Sequence, residues 1–421
     1  MIEPEPARIW PPPFEPIERL RRESKAPAAA SAEAATEEAL FARASARAAL
    51  GQFAAARVDL EACQAKYPAA CAIERAMLDI RERGSVYAAA EVAREHAEDE
   101  RNDARIRARS FEVLGLAEGK LRVPTAAIAA LLEASRRYRE LRDRAATARV
   151  EDILGQLFAA EGQLEIGLTH YSISLVNKVA EGDMLGVAMT LGNIGRTHLR
   201  AGRFELAREC FERDLELSEQ LGDRVGVVRM TQDIGRTLRA SGHAQVACEW
   251  LEKAVGLAVA DSSRSLEFFA RKELALARLA CGNRAEAQSQ IDLASAAIGD
   301  GGEPYLKSLV LAVRGELAMA SPATETSSWK MLRDAADEFE RLVIPDEEIA
   351  ARILLAGSLA RAGRQELALA QLERALLVAR RDGYARYLPA IREQLARNGV
   401  VQGLHVETGR ALGVREDAIE G

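Results

Sequence analysis

The tetrapeptide Ile-Gly-Arg-Thr occurs twice in this 421-residue chain, at Ile194–Thr197 and again forty residues later at Ile234–Thr237. A second glycine keeps the same spacing at Gly162, Gly202, Gly242 and Gly282, and five residues after each stands a small residue: Gly167, Ala207, Ala247 and Ala287. Markers held in one phase define an internal repeat. A period of this size is that of stacked helical hairpins, none of which can bury its apolar face without its neighbours. Such an array grows by repetition, so length sets no domain count, and function is sought on an extended surface.

Local patterning agrees. Phe204, Ala207, Phe211, Leu215 and Leu217 fall on one stripe of a helix. Between hairpins, Glu181-Gly182-Asp183 and Leu221-Gly222-Asp223 predict a left-handed glycine that ends one helix and an aspartate that caps the next. Apolar residues make up 48% of the chain but aromatics only 5%, which predicts a core of small residues between closely packed helices.

Several function classes are excluded at this level. A net charge of −7 argues against general nucleic-acid binding, which needs clustered basic surface. Five scattered cysteines (Cys63, Cys71, Cys210, Cys248, Cys281) are expected to be buried free thiols of a reducing compartment. The acidic, proline-rich start lacks the regions of a signal peptide, and no apolar run approaches the roughly 18 residues of a membrane span, so no membrane insertion and a cytoplasmic location are expected. No C-x-x-C or H-E-x-x-H occurs, and the five histidines are far apart. Leu114–Lys120 lacks the first glycine and the final hydroxyl of a phosphate loop. Neither metal, cofactor nor catalytic residue is expected, and the chain reads as a non-enzyme.

The details of the repeat resemble the tetratricopeptide repeat, a helix-turn-helix unit with small residues where its two helices cross. The best copy carries Ile194, Gly195, Gly202, Ala207, Phe211 and Leu215, and the next Ile234, Gly235, Gly242, Ala247, Trp250 and Ala254. Others follow at Leu114-Gly115, Leu154-Gly155, Leu274-Ala275 and Leu355-Ala356 with Gly363, Ala368 and Leu372. The resemblance implies an all-α fold, a superhelical α-solenoid of about eight or nine hairpins. It would span 37–397, with a degenerate stretch at 299–346 and a C-terminal capping helix. Outside it lie an N-terminal arm, 1–36, containing Trp10-Pro11-Pro12-Pro13, and a C-terminal tail, 398–421. The forty-residue period is similar to that of Leu-Gly-Asn polarity adaptors, axonemal dynein-docking proteins and bacterial regulatory repeat proteins.

Positions that line the groove in this family map here onto Arg149; onto Asn193, Arg196, Leu199 and Arg200; and onto Arg229, Gln232, Arg236 and Arg239. Guanidinium groups bind carboxylates bidentately, so this set predicts a groove for an acidic peptide or helix. The competing reading pairs these arginines with carboxylates of neighbouring repeats. The expected function is a protein-binding scaffold or adaptor. A sensory module of a bacterial signalling system and a subunit of an axonemal or cytoskeletal complex are the alternatives. The sequence sets no oligomeric state.

Overall fold

A computed structural model describes residues 36–397 apart from Arg83, Arg122, Asp300, Gly301 and 320–324. The C-terminal tail and all but the last residue of the N-terminal arm lie outside the described residues. Among the described residues there are nine successive helix pairs. They are α1 (Glu37–Ala49) with α2 (Phe53–Ala62), α3 (Pro68–Arg81) with α4 (Val86–Glu98), and α5 (Ala104–Lys120) with α6 (Pro124–Glu140). Next come α7 (Arg144–Ala160) with α8 (Leu164–Ala180), α9 (Met184–Arg200) with α10 (Phe204–Leu221), and α11 (Arg224–Ala240) with α12 (Ala244–Ala260). The last are α13 (Arg264–Ala280) with α14 (Arg284–Ile298), α15 (Pro304–Ala318) with α16 (Glu325–Leu342), and α17 (Pro345–Arg361) with α18 (Gln365–Arg381). A 3₁₀ turn, Ala385–Tyr387, leads into the terminal helix α19 (Leu388–Arg397).

From α1 to α6 and from α10 to α19 each helix packs on the next, and several odd-numbered helices also touch the following odd-numbered one, the contact pattern of an α-solenoid. Two compact units result. The first comprises residues up to Phe158 together with Glu165–Thr190, and the second comprises Ala159–Leu164 and everything from Leu191.

The repeated glycines have separate physical causes. Those of the Ile-Gly-Arg-Thr copies sit where the two helices of a pair cross: a Cβ on Gly195 would lie 2.5 Å from the Phe211 ring, and one on Gly235 2.6 Å from Leu251. Gly155 faces Tyr171, Gly115 faces Leu131 and Gly315 faces Leu332 in the same way, at 2.5–2.8 Å. A large side chain thus fills the space that the glycine vacates, and the close axis approach buries both.

The other glycines end helices. Gly162, Gly202, Gly242, Gly282 and Gly363 all have φ between 76° and 90°, a left-handed conformation that stops the first helix of each pair. Gly182 and Gly222 do the same between pairs, at 68° and 70°. Asp183 then accepts a hydrogen bond from the Gly186 amide, as expected of a cap, at 2.9 Å. Asp223 makes no such bond: its carboxylate is turned toward the space beside Gly226. Arg142 and Ser262 occupy the register of these inter-pair glycines and adopt φ of 55° without one. The pairing of flanking helices dictates that backbone, at a local cost of about 1 kcal/mol per residue.

The stretch with weakened register is an intact pair. Its helices are α15 and α16, the second starting at Glu325. Among the described residues no helix is long and apolar enough to cross a membrane.

Candidate partner-binding face

In the first unit, Arg149 is buried rather than presented to a ligand. Its Nε and Nη2 donate to Glu112 at 2.6 and 2.9 Å. Glu112 also accepts from the Tyr138 hydroxyl at 2.8 Å and pairs with Arg109 at 2.9 Å, and Arg109 bonds Glu74 on α3 at 2.8 Å. Burial works against the Glu112 charge, but Arg109 and Arg149 outweigh it and hold the carboxyl well below its usual range. The result is a ladder of ion pairs from α3 through α5 to α7. Asp152, one turn beyond Arg149, is likewise occupied: it accepts from Thr190 at 2.9 Å and pairs with the buried Lys178.

In the second unit the predicted arginines divide by what stands opposite them. Part of the face formed by α9 and α11 is open. Arg196 is 44% exposed although it bonds Asn193 at 2.7 Å and Asp233 at 3.1 Å. Arg229 is exposed, and Asn193 and Gln232 are half-buried. Arg239 lies further on and pairs with Glu273 of α13 at 3.0 Å, a carboxyl held down by Lys272 and Arg239. Leu199 belongs to the core with Phe211 and Ile234. The reason is its register: it stands on the stripe that faces α10 and α11.

Beside the open face lies Asp214 of α10, whose carboxylate occupies the space left by the absent side chain of Gly192. Ser218 donates to it at 3.0 Å, but burial dominates and raises its pKa to about 6 from 3.8. An acid with a raised folded pKa binds more protons folded than unfolded between those values. Stability therefore falls as pH rises from about 4 to about 6. We expect Asp214→Asn to be more stable than wild type by about 1–2 kcal/mol at pH 7.5, allowing for partial exposure, and to gain nothing at pH 4. Urea unfolding at the two pH values measures this, and an equal gain at both would contradict it.

Another part of the face, at Arg200 and Arg236, is covered by the end of the chain. Arg236 pairs with Asp346 at the start of α17. Asp346 also pairs with Arg386 and accepts from the Tyr387 hydroxyl at 2.8 Å. Arg200 bonds the carbonyls of Ala159 and Ala160, and its guanidinium lies 4.1 Å from the centroid of the Tyr384 ring. Burial lowers the pKa of Arg200, while Arg386 and Arg236 overcome burial at Asp346 and hold that carboxyl well down. The turn glycines Gly162 and Gly202 take part. A Cβ on Gly162 would meet the Arg381 carbonyl at 2.6 Å, and one on Gly202 would meet Arg386 Cα at 3.3 Å. Sequence reasoning missed this contact because it joins residues more than 100 positions apart. The only signal was the aromatic–basic run Tyr384-Ala385-Arg386-Tyr387, which reads as an ordinary helix start.

Among the described residues no group of three or more His, Cys, Asp or Glu side chains is placed to hold a metal ion. The five cysteines are free, with Cys63, Cys71 and Cys248 buried and Cys210 and Cys281 half-buried.

The fold is an all-α solenoid of paired helices. Residues 186–258 match the tetratricopeptide repeat family, and the helix pairs on either side have the same two-helix architecture, that of a tetratricopeptide-like repeat. No curated protein matches the sequence. Among solved structures it is similar to apo RapI, with a TM-score of 0.66 at 12% identity over 86% of this chain and 98% of that one. It is also similar to the apo quorum sensor NprR from B. thuringiensis, with a TM-score of 0.61 at 12% identity over 85% and 98%. The Rap conjugation gene regulator of plasmid pLS20, in complex with the Phr* peptide, gives 0.53 at 13% identity over 71% and 77%. At these identities the likeness shows the fold.

Proposed function

We propose that this chain is a non-enzymatic scaffold that holds a segment of a partner protein on the open face of α9 and α11. One observation carries the reading: of the arginines predicted to line the groove, Arg229 is exposed and Arg196 stays 44% exposed even while paired with Asp233, with the amides of Asn193 and Gln232 beside them on the same two helices. Arg149, Arg236 and Arg239 are engaged by carboxylates of the chain itself. The exposed cations favour acidic residues in that part of the partner, and the amides suit its backbone.

The test is affinity capture from native cell extract with mass spectrometry, comparing wild type with Arg196→Glu/Arg229→Glu. Both side chains are exposed, so folding is expected to survive. Reversing two contacting charges should weaken capture by at least about tenfold. Undiminished capture would remove the site.

Within this reading, a regulatory module of a bacterial signalling system is supported by the likeness to RapI and to the quorum sensor NprR. The peptide-bound Rap regulator, whose fold this chain shares, supports a short peptide as the partner segment.

A further inference from the structure

The covered part of the face is filled by the chain's own Tyr384–Tyr387. Four features mark it as more than a packing contact. Arg200 offers its guanidinium plane to an aromatic ring, an attraction worth most where water is excluded. Asp346 gathers a guanidinium and a phenol from the incoming segment and a guanidinium from α11. The segment is short, a single 3₁₀ turn between α18 and α19. It is also preceded by Gly383, at φ 70°, whose backbone packs against Gly162. Polar, charge-assisted contacts with a short segment are contacts that another chain can reproduce.

We infer that α9, α11 and the start of α17 form a subsite for a peptide bearing an aromatic residue followed two positions later by a cation, and that Tyr384-Ala385-Arg386-Tyr387 is its resident occupant. The aromatic ring stacks on Arg200, and the cation pairs with Asp346. The inference rests on the partner-binding reading and extends it: a partner that engages Arg196 and Arg229 with acidic residues displaces this segment with an aromatic–basic stretch. Affinity at the subsite is reduced by the fraction of molecules in which the resident segment occupies it.

The test uses a fluorescein-labelled peptide of residues 381–388 (Arg-Asp-Gly-Tyr-Ala-Arg-Tyr-Leu) and the full chain carrying Tyr384→Ala, Arg386→Ala and Tyr387→Ala. Fluorescence anisotropy should show binding to this opened chain at least about tenfold tighter than to wild type. Replacing the peptide's own tyrosine at the Tyr384 position with alanine should cost about tenfold. An opened chain that keeps its helical circular dichroism but does not bind the peptide would reduce the contact to a structural closure. Should the opened chain fail to fold, hydrogen exchange of wild type with excess peptide decides: faster exchange at 384–387 supports the subsite, and unchanged exchange overturns it. The outcome is separable from the partner-binding reading, which stands or falls on Arg196 and Arg229 whether or not this peptide binds.

Discussion

Asp346→Ala is expected to lower the stability of the second unit by about 2–4 kcal/mol, because it leaves two part-buried guanidinium groups and a phenol without their shared acceptor. The Arg236 and Arg386 charges would then face each other across the vacated site. The chain has a cheaper response than global unfolding: the segment after Gly383 can swing away and return both cations to water. The visible loss is therefore capped by the cost of that local opening. Two readouts separate the routes. The urea midpoint reports the unit, and tryptic cleavage after Arg386 reports the segment. Cleavage should accelerate even if the midpoint moves little. An unchanged midpoint together with unchanged protection would contradict the role assigned to Asp346.

The second large effect is expected at Gly162, and its size is read against a matched control. Gly162 and Gly242 occupy the same place in their repeats, with φ of 77° and 90°. Alanine at either pays for a left-handed backbone, about 1–2 kcal/mol. Only at Gly162 does the new methyl meet another segment, the Arg381 carbonyl and the Gly383 amide, at 2.6 and 3.0 Å; at Gly242 nothing lies within 4 Å. Gly162→Ala should therefore be less stable than Gly242→Ala by about 1–3 kcal/mol, with the excess accompanied by faster hydrogen exchange over 384–397. Equal losses would mean that the end of the chain does not close on the 159–164 turn in solution.

These two glycines show what the sequence disclosed and what it withheld. Forty-residue spacing and a small residue opposite Phe211, Leu251 or Leu372 are local facts. A repeat writes its own packing into each copy, so helix pairs, crossing points and turn glycines were legible. Arg142 and Ser262 show that even the left-handed turns follow from the pairing and not from glycine alone. The face was legible only in part. Register identified the helices and the cations on them, but whether a cation is available depends on what stands opposite in another repeat. Arg149 found Glu112 and Arg239 found Glu273, each 34–37 residues away. Arg236 found Asp346 at a separation of 110. No periodic signal encodes that last contact, because the terminal segment is not a repeat.

The claim that the face of α9 and α11 holds the partner is tested most directly by hydrogen exchange of the chain with and without its captured partner. The account predicts slowed exchange across Asn193–Arg200 and Arg229–Arg236, with the second helices of the pairs, α10 and α12, unaffected. Protection confined to α10 and α12, with α9 and α11 unchanged, would contradict it.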